Sequence, residues 1–208
     1  MNGAPGGVPG LGLVAATSPI EATYTAPATK PRPNRVAVSA QVVQGARKNI
    51  VFSYVTIVDD QWVGTGESSS AAISVRAQVT WKLESYVGNI ATYLPSGTAS
   101  VVVHGCLRFT PDNGVIDPSF GGVLFVDYNS SPPSYHGSGL ALWPAIATST
   151  CPNPPPPLST FAPAAFFGGS KGVEAQGQVS ADGMTIEGTD TNTLGSEPVT
   201  FKWNFSRR

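Results

Sequence analysis

The sequence predicts an all-β protein, and three patterns in its 208 residues support that prediction. Hydrophobic and polar residues alternate without exception from Ile73 to Glu84, and shorter segments repeat the alternation. No window shows a capped hydrophobic stripe of helical period, while 23 Gly and 19 Pro supply many turns. We therefore expect a single antiparallel β-sandwich, a jelly roll or a closed barrel of about 8–10 strands, with an extended N-terminal arm and a long Pro-rich loop.

Residues 1–34 form the predicted arm. The opening MNGAPGGVPG contains four Gly and two Pro, and the arm ends in APATKPRPN, where repeated Pro favours polyproline geometry. Such a segment has little side chain to bury, so ordering it requires contacts outside its own domain to offset the lost backbone entropy. Residues 35–208 then form the β domain.

Within that domain, the segment NIVFSYVTIVDD differs from the other predicted strands because it is apolar on both faces. The predicted first face carries Ile50, Phe52, Tyr54 and Val58, and the predicted second face carries Val51, Val55 and Ile57. A strand of this kind belongs between two sheets or against another subunit.

The clearest strand places Ile73, Val75, Val79, Trp81 and Leu83 on a buried face. The last segment repeats the pattern, with inward positions at Val199, Phe201, Trp203 and Phe205. RVAVSAQVVQ and GTASVVVHGCLRF are weaker strands, and VEAQGQVSADGMTIEGTD indicates a hairpin around the Asp182-Gly183 turn.

Residues 128–170 contain no Asp, Glu, Lys or Arg over 43 positions. Depleted charge with enriched aromatic residues is the composition of an interface core. The predicted interface residues are Tyr135, Leu140, Leu142, Trp143, Phe161, Phe166 and Phe167. The alternative is a loop that folds back on its own sheet.

Two cysteines, Cys106 and Cys151, allow one disulfide. Closing a loop of that length contributes on the order of 4 kcal/mol in the chain-entropy treatment. Two free buried thiols are equally consistent with the sequence.

Catalytic chemistry is poorly supported. GGSKG at residues 168–172 matches the letters of a nucleophile elbow, but His104 and His136 both precede Ser170 and no helix follows. His104 and Cys106 share a strand face, yet a metal or nucleophile site needs further ligands. We expect no catalytic, cofactor-binding or metal-ligating residue, no cofactor, and no enzymatic activity.

The charge balance restricts the partners. Twelve Lys and Arg against thirteen Asp and Glu give no basic field for nucleic-acid readout, and no apolar run reaches the length of a membrane span. The first basic residue is Lys30, so LGLVAAT lacks the basic region that precedes the apolar stretch of a signal peptide. We expect either that the chain stays in the compartment where it is made or that a leader has been removed and replaced by Met1.

These observations favour a non-enzymatic structural subunit of an ordered assembly, with a phage or other virion head or tail protein as the leading interpretation. Its expected partners are copies of itself and neighbouring structural subunits, and its expected location is a virion or other extracellular assembly, made without a signal peptide. The alternative is a monomeric barrel or sandwich that binds a small ligand or glycan, with or without enzymatic activity.

Overall fold

The computed structural model describes residues 5–27, 31, 35–45, 47–57, 60–170, 174–193 and 197–208. These residues form sixteen β-strands and no helix, so the predicted all-β class is confirmed for the part of the chain described, whereas the predicted count of about 8–10 strands is too low. The ladders between these strands are antiparallel. The chain divides into two compact units, residues 1–59 and residues 60–208, whereas the sequence placed a boundary after residue 34.

Unit 1 contains two small sheets. Strands β1 (Gly7–Val8), β2 (Gly12–Ala16) and β3 (Ala22–Thr25) form a three-stranded sheet in that order. Strands β4 (Arg35–Gln44) and β5 (Arg47–Thr56) form a separate two-stranded sheet, called the β4–β5 hairpin below.

Residues 5–27 are therefore a small sheet rather than the extended arm that the sequence predicted. The Tyr24 hydroxyl donates a hydrogen bond of 2.6 Å to the carbonyl of Leu11 and lies against Gly12. Gly12 has a φ of +97°, and a Cβ there would collide with the Tyr24 ring. The glycines thus permit tight strand connections in a segment whose composition predicted an extended arm.

Unit 2 carries one large sheet. Its strands are β6 (Gln61–Ser69), β7 (Ile73–Val87), β8 (Ile90–Val103), β9 (Leu107–Thr110), β10 (Asn113–Ile116), β11 (Gly122–Asp127), β12 (Ser134–Ser149), β13 (Leu158–Phe167), β14 (Ala175–Gln178), β15 (Thr185–Asn192) and β16 (Val199–Arg207). The main path runs β13-β12-β11-β8-β7-β6-β16-β15, while β10 pairs with β8 and both β9 and β14 pair with β12.

This sheet folds over so that β12 and β13 lie against β6, β7 and β16. Ser68 Oγ on β6 donates a hydrogen bond of 2.6 Å to the Ala165 carbonyl on β13. Trp81 on β7 packs its ring against Phe166 and Phe167 of β13. Two packed layers with an aromatic core between them are consistent with a β-sandwich.

The alternation predicted for β7 is confirmed. Val75, Ala77, Val79 and Trp81 are buried, while Arg76, Gln78 and Lys82 are exposed. Ile73 and Leu83, at the two ends of the pattern, are partly buried against the core. The inward positions of β16 follow the same rule, with Phe201, Trp203 and Phe205 buried and Val199 partly buried.

The predicted long Pro-rich loop is wrong for most of its length, because residues 128–170 contain β12 and β13. Only residues 150–157 connect these two long strands. Leu142 on β12 lies opposite Pro163 on β13, and Pro144 lies opposite Phe161. Pro163 is tolerated because β13 ends the path of the sheet and one side of an edge strand needs no ladder partner.

The turn at Asp182-Gly183 is present, but the strands that flank it do not pair with each other. Gly183 has a φ of +73°, and its N–H donates to the Ser180 carbonyl at 2.8 Å. Strand β14 pairs with β12, and β15 pairs with β16, so the predicted hairpin is wrong in its pairing. The turn instead carries the chain from one layer to the other.

Candidate assembly surfaces

The structure separates the seven predicted interface residues into two groups. Tyr135, Trp143, Phe166 and Phe167 are buried in the core of unit 2, so their assignment to an outer surface is corrected. They occupy inward positions of β12 and β13 because side chains alternate between the faces of a strand. Leu140 and Leu142 are half-buried on the outward side, and Phe161 is 62% exposed.

Those three outward residues belong to a larger surface, which we call the apolar outer face. Its members are Leu140, Leu142, Pro144 and Ile146 of β12, with Phe161, Pro163 and Ala165 of β13. They stand in cross-strand register, from Leu140 opposite Ala165 to Pro144 opposite Phe161. None is charged, and contiguous apolar surface of this kind marks interaction sites on soluble proteins.

The sequence contained a signal for this face that its Pro and Gly content obscured. Residues 140–147 are apolar at every position, which is the pattern of a strand with two apolar faces. Reading the segment as a loop assigned all of its apolar residues to a single contact surface. The structure shares them between a core and an outer face.

The β4–β5 hairpin is the second uncovered apolar element. One face carries Val38, Ala40, Val42, Val51 and Val55, and the other carries Ala37, Val43, Ile50, Phe52 and Tyr54. Most of these side chains are exposed, including Phe52 at 58%. Arg35 stacks its guanidinium over the Tyr54 ring at 4.3 Å, which covers only one end of that second face.

The opposite layer of unit 2 has a polar outer face of contrasting character. Two rows of side chains cross the sheet in register: Glu187, Asn204, Thr65, Gln78, Thr98 and Val115, followed by Thr189, Lys202, Glu67, Arg76, Ser100 and Asn113. A shallow cavity of about 580 Å³ lies over the β15–β16–β6 end of these rows, and one of about 550 Å³ lies over the β7–β8–β10 end.

Hydrogen bonds fix part of this polar face. Arg76 Nε donates to Glu67 Oε1 at 2.9 Å, and Asn204 Nδ2 donates to Glu187 Oε2 at 3.3 Å. Both carboxylates are solvent-accessible, and exposed ion pairs contribute at most about 1 kcal/mol. The polar face therefore presents hydrogen-bonding side chains, some of which are paired with each other.

A cluster around Asp60 closes one end of unit 2. Asp60 Oδ1 accepts hydrogen bonds from Tyr93 Oη at 2.7 Å and Arg207 Nη2 at 3.0 Å, and Oδ2 accepts from Tyr86 Oη at 2.6 Å. The Tyr93 hydroxyl also meets the Tyr128 hydroxyl at 3.3 Å. These contacts hold the start of β6 to the end of β16 and to the β7–β8 turn.

The electrostatics of this cluster favour a structural role. Burial and the hydrogen bond to Asp60 raise the pKa of Tyr86 to about 12, and burial with the Tyr128 contact raises that of Tyr93. Burial by itself lowers the pKa of the Arg207 guanidinium, but the nearby Tyr128 and Asp60 have the larger combined effect and raise that pKa. The two tyrosines thus stay protonated at neutral pH, where they act as donors rather than bases.

The residues that the sequence suggested for catalysis or metal binding do not form a common site. Ser170 donates its hydroxyl to Asp190 Oδ2 at 3.1 Å, and this contact and the Ser170 N–H bond lower the pKa of Asp190. His104 Nε2 pairs with Ser74 Oγ at 2.9 Å on the surface. Cys106 is joined to Cys151 by a disulfide, with 5.2 Å between the two Cα atoms.

Among the described residues, no group of three His, Cys, Asp or Glu side chains is placed to hold a metal ion. The same part of the chain contains no helix long and apolar enough to cross a membrane. The chain matches no protein-family model, and the comparisons with curated proteins and with solved structures found no match.

Proposed function

We propose that this protein is a non-enzymatic structural subunit of an ordered assembly of its own copies, with a phage or other virion head or tail as the setting. The observation that carries the proposal is the β4–β5 hairpin, which spans ten residue pairs and carries exposed apolar side chains on both faces. An isolated two-stranded hairpin is at best marginally stable in water, so its stability would come from contacts made in the assembly.

The energy available from covering the hairpin is large. About 100 Å² of the Phe52 side chain remains exposed, and covering it would gain about 2–3 kcal/mol. Ile50, Val43 and Tyr54 on the same face are exposed to a similar degree. A second subunit that covers this face would therefore offset the entropy of ordering the hairpin.

The apolar outer face of unit 2 supports the same proposal independently. Its side chains lie on a layer whose inner side already fills the core with Trp143 and Phe166. A β-layer that is apolar on both sides suits a position between its own core and a neighbouring molecule.

Light scattering during size-exclusion chromatography tests the proposal. The intact chain is expected to elute as a multimer of the 21.5 kDa subunit, and a variant with residues 35–56 replaced by a Gly-Ser linker as a folded monomer. Val115→Ser, which alters an exposed apolar residue of the polar face, is the control and should leave the mass unchanged. An intact chain that is monomeric up to about 100 μM would contradict the proposal, because standard interfaces of about 800 Å² per partner persist well below that concentration.

A second candidate function is the binding of a hydrogen-bonding ligand such as a glycan on the polar face. It is favoured by the cavity of about 580 Å³ whose lining includes Glu187, Lys202 and Asn204. A glycan array should show binding that Asn204→Ala weakens and Phe120→Ala, outside this cavity, preserves. Binding unchanged by Asn204→Ala would remove this face from consideration.

A further inference from the structure

The register of the β4–β5 hairpin shows which backbone groups point out of its open edges. A two-residue turn joins the strands, so the closing pair Gln44 and Arg47 exchanges backbone hydrogen bonds. Hydrogen-bonded and non-hydrogen-bonded pairs then alternate along the antiparallel ladder. Odd-numbered residues of β5 therefore bond to β4, and the even-numbered residues direct their N–H and C=O groups away from it. We call these outward groups the β5 edge; they belong to Lys48, Ile50, Phe52, Tyr54 and Thr56.

The large sheet of unit 2 covers backbone groups at its two ends, whereas the β5 edge is uncovered. At one end, Ser68 Oγ donates to the Ala165 carbonyl of β13 at 2.6 Å. At the other end, the Tyr135 hydroxyl donates to the Glu187 carbonyl of β15 at 3.1 Å. Natural proteins cover or charge a sheet edge, or place proline there, because a bare edge pairs with further strands. Residues 49–56 contain no charge and no proline, and no other strand in the part of the chain described pairs with them.

The side chains explain why β5, rather than β4, is the pairing edge. Ile50, Phe52 and Tyr54 are each more than half exposed and lie on one face of the hairpin. The outward positions in the middle of β4 carry the small or polar Ser39 and Gln41. Cross-strand pairs of aromatic and β-branched side chains stabilise a sheet, so pairing through β5 gains more than pairing through β4.

We propose that the β5 edge pairs antiparallel with the β5 edge of a second copy, so that two hairpins form one four-stranded sheet in the order β4-β5-β5-β4. This inference rests on the assembly function proposed above and names the contact. A two-fold axis through the middle of the edge places Phe52 opposite its own equivalent and Ile50 opposite Tyr54 of the second copy. All five outward residues then pair, which adds about ten backbone hydrogen bonds. Three or more strands with an apolar face are needed for a sheet to be stable in water, and the pairing meets that condition.

The basic residues of the hairpin are compatible with this register. Lys48 lies opposite Thr56 of the second copy, so the two Lys48 residues are roughly 26 Å apart along the strands. Arg35 comes closer, because it is two strand spacings, or roughly 10 Å, from Lys48 of the second copy. That separation exceeds the Debye length of about 8 Å at physiological salt, and the Arg35 guanidinium is already stacked over the Tyr54 ring of its own chain.

A cysteine at position 52 tests the register. In the proposed sheet, the two Cα atoms at this position lie roughly 5.5 Å apart, which a disulfide spans. Tyr54→Cys is the matched control, since it lies on the same face but its two equivalents are roughly 14 Å apart. The two native cysteines are bonded to each other, so the introduced thiol is free to react alone. Oxidation with diamide is expected to cross-link Phe52→Cys at least tenfold faster than Tyr54→Cys, as seen on a non-reducing gel.

Proline substitutions test the choice of edge. Ile50→Pro removes an outward N–H of β5 and leaves the ladder to β4 intact, so the hairpin forms but does not pair with a second copy. Gln41→Pro makes the same change at an outward position of β4 and is the control. Light scattering is expected to give a monomer for Ile50→Pro and the mass of the unaltered chain for Gln41→Pro. If Ile50→Pro fails to fold by circular dichroism, Phe52→Lys replaces it, because the pairing would bring two Lys side chains face to face.

Several results would overturn the inference. Equal cross-linking rates for the two cysteine variants would contradict the register. An Ile50→Pro chain that keeps the mass of the unaltered chain, or a Gln41→Pro chain that is monomeric, would contradict the choice of edge. In each of these cases, a multimeric unaltered chain leaves the assembly function standing. A monomeric unaltered chain would instead refute the assembly function and this contact together.

Discussion

Trp81→Ala is expected to lower the free energy of unfolding of unit 2 by about 3–5 kcal/mol. Trp81 is fully buried, and its ring lies 6.2, 5.7 and 5.9 Å from the rings of Phe166, Phe167 and Phe205. Each aromatic pair contributes about 0.5–1.5 kcal/mol beyond the burial of its area. The expected loss for Trp81→Ala therefore lies in the upper half of the range of about 3–5 kcal/mol.

Trp81→Phe should cost less than its loss of ring area suggests. The Trp81 Nε1 atom is buried and makes no hydrogen bond with the described residues. An unsatisfied donor of this kind costs about 1–3 kcal/mol, and Phe removes it. The expected net loss for Trp81→Phe is therefore below about 2 kcal/mol.

Urea unfolding followed by far-ultraviolet circular dichroism measures both effects. A loss of 4 kcal/mol corresponds to a fall in melting temperature of about 8–16 °C for a unit of this size. Phe120→Ala, at an exposed position, should change stability by no more than about 0.5 kcal/mol. A Trp81→Ala chain within 1 kcal/mol of the unaltered protein would refute the packing described for the core.

Three further predictions concern the core, the disulfide and the Asp60 cluster. Trp143→Asp and Phe166→Asp should unfold unit 2, seen as loss of the cooperative thermal transition, because both introduce a carboxylate into the core; soluble, folded variants would contradict their burial. Replacing Cys106 and Cys151 together by Ser should lower the free energy of unfolding by about 4 kcal/mol, since 45 residues separate them, and an unchanged urea midpoint would argue against that bond in solution. Because folding raises the pKa of Tyr86 from 10 to about 12, protonated Tyr86 stabilises the fold below pH 10, and this contribution is lost as the pH rises towards about 12. Tyr86→Phe should therefore reduce the loss of unfolding free energy between pH 10 and about 12. A pH profile of the unfolding free energy identical to that of the unaltered chain would contradict the contact between Tyr86 and Asp60.

The sequence predicted the buried positions of a strand correctly where the other face of that strand is exposed to solvent. The alternation of β7 and β16 predicted the burial of Trp81, Trp203 and Phe205 because polar residues marked every second position. It was uninformative for β12 and β13, where apolar residues occupy both faces and Pro144 and Pro163 imitate loop signals. When apolar residues occupy both faces of a strand, the sequence pattern does not show which face is buried in the core and which faces outward.

Local sequence patterns also did not predict which β-strands pair with each other. The turn at Asp182-Gly183 was predicted from its φ requirement, but β14 pairs with the distant strand β12, where Tyr135 lies opposite Gly177. The Asp60 cluster depends in the same way on residues far apart along the chain, with 147 positions between Asp60 and Arg207. Such juxtapositions follow from the topology of the whole sheet.

The position of β16 between β6 and β15 sets the order of events during synthesis. Strand β6 finds its β16 partner only after the intervening strands have been made, and contacts of such long sequence separation slow folding. At about 5–20 residues per second, the β4–β5 hairpin is made roughly 8–30 s before β16 is complete. During that interval the apolar side chains of the hairpin are exposed on an unfinished chain. Nascent chains of this protein are thus expected to expose these apolar side chains to chaperones until unit 2 has folded.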